Sequence, residues 1–292
     1  MRKAERTALL NGFGIALGDS LIGLQALFAA VSLGLMGRAT LFRAPECRDL
    51  VAGIYQCADD LADIAVLDGF RPGAFDRVID IRDFALDPGF RGVAMIDYFL
   101  GKLGLDPTAV PTDLRRNGWL APRVRPQPAL GLPTRYVLVC PTSSMALRDM
   151  PADVHAAVLR TAMGAQDLPV VTQGAASDGA IRVANCGDFT ELCGMVSAAA
   201  CVISTDTAML HLADAFAVPC LAVFTTHRPE WRMRDYPLCE AIHLQPLGLP
   251  DALEFSRGDA DLAATRAAWH AGAGEITGKA QDFLRRHTGS AP

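Results

Sequence analysis

Lysine is nearly missing from this chain: only Lys3, Lys102 and Lys279 occur among its 27 basic residues, so arginine supplies nearly all the positive charge. Codon bias is enough to produce such a skew, yet it has a chemical consequence. A cation that meets a phosphate here is expected to be an arginine. Positive charge is also short overall. Against 32 Asp and Glu the net charge is −5, with a pI near 5.7, which excludes a global field that would recruit nucleic acid or anionic lipid. C-x-x-C pairs are absent as well. The eight cysteines (Cys47, Cys57, Cys140, Cys186, Cys193, Cys201, Cys220 and Cys239) fall mostly inside apolar segments. That placement fits reduced core thiols of a cytosolic protein rather than a disulfide framework or a zinc site. Repeats and low-complexity tracts are lacking too.

What is present is a long, apolar chain. Its 292 residues are 51% hydrophobic and 20% charged, with a mean hydropathy of +0.22. These values exclude a disordered, collagen-like or small disulfide-stapled protein and suggest two domains at roughly 150 residues each. Near the N-terminus, Arg2, Lys3 and Arg6 precede an apolar stretch, and residues 20–37 carry no charge, so a signal peptide or membrane span has to be weighed. Asp19 interrupts that stretch, Gly12, Gly14 and Gly18 read as a turn, and Ser20, Gln25 and Ser32 dilute it. A buried helix is the better expectation.

Short apolar strands alternate with helical segments along the rest. Strands are expected at Thr7–Leu10, Ala39–Arg43, Ile64–Leu67 and Phe75–Ile81, with helices from about Ser20 to Leu35 and at Val93–Leu103. Between Leu120 and Thr134 lie Pro122, Pro126, Pro128 and Pro133 with Arg123 and Arg125 among them, a composition that suits a linker. The pattern then restarts. Strands are expected at Tyr136–Cys140, Pro169–Thr172, Ala200–Ser204 and Pro219–Phe224, and helices at Ala152–Met163, Phe189–Ala199, Thr207–Phe216 and Asp261–Arg286, the last able to pack back across both halves. Four- to six-residue apolar strands between helices predict α/β architecture with parallel sheets covered on both faces. Domains are expected at 1–120 and 134–292, joined by 121–133, with a ligand-binding cleft between them.

Four segments could carry chemistry. Gly12-x-Gly14-x-x-x-Gly18 follows a strand and precedes a helix, so its backbone N–H groups could approach an anion, as in a dinucleotide site. Asp19 beside it reads either as an N-cap or as a general base within reach of a sugar hydroxyl. Second, Pro141-Thr-Ser143-Ser144-Met-Ala-Leu-Arg148-Asp-Met-Pro151 puts hydroxyls and one cation at a strand's carboxyl end. This is a diphosphate pocket or an ordinary strand-to-helix loop. Third, in Ser204-Thr205-Asp206-Thr207-Ala208-Met209-Leu210-His211, Asp206 or Thr205 could cap the next helix while the N–H groups of Thr207 and Ala208 point outward. His211 faces core or cleft. Fourth, Asp178 in Gly174-Ala-Ala-Ser177-Asp178 could accept hydrogen bonds from a ribose, or simply close a turn.

In order and spacing these segments resemble glycosyltransferase family 9, the ADP-heptose lipopolysaccharide heptosyltransferases. The family's G-D-x-[IVL] loop is matched by Gly18-Asp19-Ser20-Leu21. Its [VI]-[ST]-x-D-[TS]-G-x-x-H-x-A-x-A-x-x-x-P element is matched from Ile203 to Pro219, and its H/P-G-[ST]-x-x-x-x-K-x-W-P loop in length by Pro141–Pro151. The resemblance implies a GT-B fold of two Rossmann-like doubly wound domains facing a central cleft. It implies an inverting glycosyltransferase that moves a sugar, heptose in that family, from a nucleotide donor such as ADP-heptose to a glycan or lipopolysaccharide-type acceptor. Asp19 would be the base, Gly14 and Gly18 the acceptor-side loop, and Ser143, Ser144, Arg148, Asp178, Asp206, Thr207, Ala208 and His211 the donor site. No cofactor, metal or nucleic acid is implied, and the location is cytoplasmic with at most peripheral association at the inner face of the inner membrane. The chain departs from the family at Ala208 (for glycine), Met150 (for tryptophan), Arg148 (for lysine) and Phe224-Thr-Thr-His-Arg-Pro229 (for F-G-P-T-x-P), and its N-terminal half is short. Two other readings stay open: a non-catalytic GT-B-like binding module, and an NAD(P)-dependent oxidoreductase built on the glycine loop with Arg43 as phosphate reader.

Overall fold

The computed structural model describes residues 5–10, 13–129, 131–175, 179–183 and 186–289. The chain forms two compact units, Met1–Arg125 with Asp188–Thr190, and Pro126–Gly187 with Glu191–Pro292.

The first unit is built on four parallel strands, β1 (Thr7–Leu10), β2 (Ala39–Arg43), β3 (Ala62–Val66) and β4 (Arg77–Asp80), in the order β3-β2-β1-β4. Leu10 pairs with Phe42 on one side and Asp80 on the other, so the carboxyl ends of β1 and β4 lie together. Three helices accompany the sheet: α1 (Leu17–Ser32), α2 (Asp49–Gln56) and α3 (Met95–Leu103). Leu21, Leu24, Ala26 and Leu27 of α1 are fully buried, as are its polar residues Ser20 and Gln25. Burial of those two is tolerable because each finds a partner. Ser20 Oγ donates to the Ala16 carbonyl at 2.9 Å and lies 3.0 Å from the Tyr55 hydroxyl. Gln25 Nε2 donates to the Leu114 carbonyl at 2.6 Å, while its Oε1 accepts from the Trp119 N–H at 3.4 Å. The residues that dilute the apolar run therefore fasten the chain around 114–119 onto the helix. Among the described residues, no helix is long and apolar enough to cross a membrane.

Helix α1 begins three residues before the predicted start. Gly18 is thus in its first turn rather than in a loop, and Asp19 is its third residue rather than its cap, a position held by Ala16. The first turn's N–H groups have no intrahelical partners in any case, so glycine weakens little there, and a carboxylate is favoured by the dipole. Strand β4 is shorter than predicted because a 3₁₀ turn, Pro72–Ala74, runs up to Phe75 and pairing with β1 begins only at Arg77, opposite Thr7.

Six parallel strands form the second unit: β5 (Tyr136–Cys140), β6 (Val170–Thr172), β7 (Ile181–Arg182), β8 (Ala199–Thr205), β9 (Cys220–Phe224) and β10 (Cys239–His243). Their order, β10-β9-β8-β5-β6-β7, is that of a doubly wound nucleotide-binding sheet. The helices here are α4 (Ala152–Ala165), α5 (Phe189–Ser197), α6 (Ala208–Ala215), α7 (Glu230–Met233) and α8 (Asp259–Thr288). One core cluster joins Val137, Val139, Ile203 and Val223 from the strands to Val154 and Val158 of α4 and to Trp269, Ile276 and Phe283 of α8. The alternate strand residues Leu138, Val202 and Ala222 are also fully buried, as a sheet covered on both faces requires. The buried face of α8 is thereby filled within its own unit. Met150, at the family's tryptophan position, is a core residue of this cluster.

Gly194 of α5 lies so close to the Gln127 backbone that an added Cβ would stand 1.6 Å from its carbonyl oxygen, whereas Gly278 of α8 has open space around it. Gly194→Ala is expected to destabilise the protein by about 3 kcal/mol. Gly278→Ala is expected to stabilise it by about 0.5–1 kcal/mol through helix propensity. Urea midpoints of the two variants check both signs.

Candidate functional site

In a doubly wound sheet, ligands bind where neighbouring strands send their crossovers in opposite directions, beyond the carboxyl ends. In the second unit that point lies between β5 and β8. The loop after β5 carries Ser143, Ser144 and Arg148, and β8 runs directly into Asp206.

The structure ties these two segments together. Arg148 Nη1 stands 3.4 Å from Asp206 Oδ2, and Arg148 Nη2 donates to Ser144 Oγ at 3.3 Å. The Arg148 side chain is only 19% exposed, so it is not the solvated arginine of an ordinary loop. Backbone anchors hold the loop in place: the Thr205 hydroxyl donates to the Arg148 carbonyl, the Thr225 hydroxyl to the Leu147 carbonyl at 3.0 Å, and Met150 N–H to the Pro141 carbonyl at 2.8 Å. Ser143 works inside the loop. Its hydroxyl donates to the Met145 carbonyl at 2.7 Å, and its N–H donates to Asp149 at 2.7 Å. Of the two serines, Ser144 is the exposed one.

Asp206 is 2% exposed and is flanked by a second cation-bearing segment. His227, after β9, places Nδ1 3.5 Å from Asp206 Oδ2 and Nε2 2.9 Å from Glu254 Oε1. Arg232 of α7 donates to the same Glu254 oxygen at 2.9 Å. Burial works to raise the Asp206 carboxyl, but Arg148, His227 and Arg232 outweigh it and hold the group well below the usual carboxylate range. Glu254 is held down to about 2 in the same way, burial being overcome by His227 and Arg232. Both carboxylates are therefore ionised.

Thr207 is the extended N-cap of α6, and Thr207 and Ala208 are half-exposed. The first N–H groups of α6 have no partners within the helix and form its positive end. Asp206 makes no cap to α6, since the helix has no side-chain cap bond. His211, one turn on, is 3% exposed, and its Nδ1 lies 2.8 Å from the Tyr236 hydroxyl. Burial holds it down to about 3 despite the attraction of Asp206, so the imidazole is neutral and belongs to the core side of α6. Asp178 lies outside the described residues, as does Gly12.

Asp19 belongs to the first unit and is half-buried beside β1. Gly14 has φ +101°, and a Cβ there would stand 2.9 Å from the Phe84 ring edge and 3.6 Å from Asp19 Oδ2, which explains the glycine. The preceding Phe13 also adopts a left-handed φ of 67°, with its ring buried against Gly23. Two left-handed residues in succession next to Asp19 mark a strained turn of the kind found at functional sites. Arg43, the phosphate reader of the oxidoreductase alternative, donates to the Ala44 carbonyl at 3.1 Å.

Sequence reasoning missed His227, Arg232, Glu254 and Tyr236 as site residues. The polar run Thr225-Thr226-His227-Arg228 at a strand's carboxyl end was an available signal. Glu254 lies in an irregular segment with no pattern to mark it. Among the described residues, no group of three or more His, Cys, Asp or Glu side chains could hold a metal ion.

Two sheets in nucleotide-binding strand order, one with a cation and a helix N-terminus at its switch point, define an α/β protein with the GT-B fold. The family resemblance holds: residues 119–243 match the model of glycosyltransferase family 9 (heptosyltransferase). No curated protein sequence matches the chain. Among solved structures, the fold is similar to that of the dodecameric iron-containing heptosyltransferase TibC in complex with ADP-D-β-D-heptose, at a TM-score of 0.68 and 17% identity over 97% of this chain and 77% of that one. It is also similar to E. coli ADP-heptose lipopolysaccharide heptosyltransferase II (TM-score 0.56, 13% identity, 94% and 99% covered) and to E. coli heptosyltransferase WaaC with ADP (TM-score 0.53, 11% identity, 93% and 99% covered).

The depressed groups set a pH dependence. His211 titrates near 6.5 when unfolded and at about 3 when folded, so stability is full above pH 6.5 and falls as acidification protonates only the unfolded chain. Glu254 adds a second loss between its ordinary 4.5 and about 2. Urea midpoints are expected to fall from pH 7 to pH 5, and His211→Gln is expected to flatten that fall; an unchanged slope in the variant would contradict it.

Proposed function

We propose that the chain is a nucleotide-sugar-dependent inverting glycosyltransferase with an ADP-heptose-type donor and a glycan or lipopolysaccharide-type acceptor. The observation that carries the reading is the Arg148–Asp206 contact, which joins two sequence segments at the switch point of a nucleotide-binding sheet. The family match over 119–243 covers both of these segments.

In this reading the donor diphosphate lies over the α6 N-terminus, against the N–H groups of Thr207 and Ala208. Arg148 and the Ser144 hydroxyl hold its charged oxygens, and Ser143 shapes the loop. Asp206 acts through Arg148: it fixes the guanidinium, and its own charge is offset by Arg148, His227 and Arg232. Asp19 removes the proton from an acceptor hydroxyl as that oxygen bonds to the anomeric carbon. The bond from that carbon to the diphosphate oxygen breaks on the opposite face, and the nucleoside diphosphate leaves with the electron pair. Fixed N–H donors and one arginine stabilise this charge by a few kcal/mol per group, without calling for a metal. Ala208 adds a methyl at the first helical position, where the family carries glycine, and leaves its N–H group free to donate.

ADP-heptose at about 100 times its Kd should stabilise the protein by roughly 2.7 kcal/mol, read as a rise in Tm. Asp19→Asn should keep that rise and lose transfer; equal turnover would remove Asp19 from the chemistry. Arg148→Ala should weaken donor binding by about 10- to 100-fold, as expected for a lost charge-assisted bond. A Tm rise with no turnover against any glycan would favour the non-catalytic module instead.

A further inference from the structure

Cys239 opens β10, the edge strand of the second sheet, and stands in register directly opposite Cys220, the first residue of β9. We propose that these two thiols form a reversible disulfide on reaction with a peroxide, Cys239 attacking and Cys220 resolving. The inference is independent of the transferase reading, since both cysteines lie at the amino edge of the sheet, opposite the edge that carries Arg148 and Asp206.

Geometry is the first argument. In a parallel ladder, residues directly opposite each other point to the same face of the sheet. The register here runs unbroken from Cys220 and Cys239 to Phe224 and His243. Its start is pinned by the Cys220 N–H, which donates to the Leu238 carbonyl at 3.0 Å, and by the Cys239 N–H, which donates to the Tyr236 carbonyl at 3.3 Å. Neighbouring strands lie about 4.8 Å apart, inside the window of about 4.4–6.8 Å between Cα atoms that a disulfide spans but short of its usual ~5.5–6 Å. The bond therefore forms under strain and is easily reduced, which makes it reversible. A hydrogen bond already joins the two side chains.

Access and reactivity set the roles. Cys220 is fully buried, whereas Cys239 is half-buried on an edge strand, so a peroxide meets Cys239 first. The hydrogen bond with Cys239 and burial push the Cys220 thiol well up and keep its proton on. Cys239 gives up its proton, and its sulfur attacks one oxygen of hydrogen peroxide. The O–O bond breaks, hydroxide leaves and takes that proton as water, and Cys239 becomes a sulfenic acid. The negative charge of Cys239, one of the causes that hold the Cys220 proton, is then gone. The Cys220 sulfur attacks that of Cys239, the S–O bond breaks, and hydroxide leaves with the Cys220 proton as a second water. Two thiols have lost two electrons, and one hydrogen peroxide has become two waters. The new bond closes the segment 220–239, which carries His227, Arg232 and Tyr236, so oxidation restrains the residues that face Asp206, Glu254 and His211.

Treating the full chain with hydrogen peroxide, alkylating the remaining thiols and digesting with trypsin tests this, because cleavage after Arg232 and Arg234 separates the two cysteines. The wild type is expected to yield peptides 183–232 and 235–257 joined through Cys220 and Cys239, and dithiothreitol is expected to release them. Cys239→Ser is expected to leave Cys220 as an alkylated thiol. Cys220→Ala is expected to stop Cys239 at the sulfenic acid, trapped as a dimedone adduct. A wild type in which Cys239 stays a thiol, is oxidised without joining Cys220, or joins another cysteine would overturn the proposal, as would a folded Cys220→Ala without the dimedone adduct at Cys239. If a variant does not fold, the wild-type peptide map decides the question by itself.

Discussion

The second unit is organised around one ionised carboxylate that water cannot reach. Asp206 is 2% exposed, and a lone charge so placed would cost several kcal/mol. It is sustained by Arg148 on one side and His227 on the other, with Arg232 and Glu254 extending the network. Each partner comes from a different stretch of chain: the loop after β5, the loop after β9, α7, and the segment before α8. Folding the carboxylate in therefore forces four segments to one place. Burial alone would assemble the sheet and its helices; the charge network fixes where the loops at its carboxyl edge stand.

That constraint also shapes the chemistry. An arginine held by a buried acid is pre-set in direction, so little order would remain to be imposed on a diphosphate in the proposed site. The scarcity of surface cations takes on meaning here. A chain with net charge −5 does not gather polyanions over its surface, and the proposed site meets one with a guanidinium, hydroxyls and a helix end. In the first unit, the tight turn at Phe13 and Gly14 sets Asp19 near the Phe84 ring edge.

Much of the fold was legible because parallel strands buried on both faces are short apolar runs. Tyr136–Cys140 and Cys220–Phe224 stand out for that reason, whereas β10, Cys-Glu-Ala-Ile-His, is an edge strand with polar positions and leaves no such mark. The start of α1 was misplaced because glycine reads as a breaker, although Gly18 falls where a helix tolerates it. In the site, Arg148 and Asp206 were legible as residues at strand ends. Their contact was not, since 58 residues separate them and only the strand order brings β5 beside β8. His227 was visible as part of a polar run at a strand's carboxyl end that departs from a family loop. Its role emerges from Glu254, an acid in an irregular segment that no periodicity singles out.

The central claim is that the donor diphosphate is held at the switch point of the second sheet, by the 143–148 loop and the start of α6. Amide hydrogen exchange of the full chain, with and without ADP-heptose, tests it directly. The account predicts that the ligand slows exchange in residues 143–148 and 206–210. Protection confined to other segments of that unit, with these two unchanged, would contradict it.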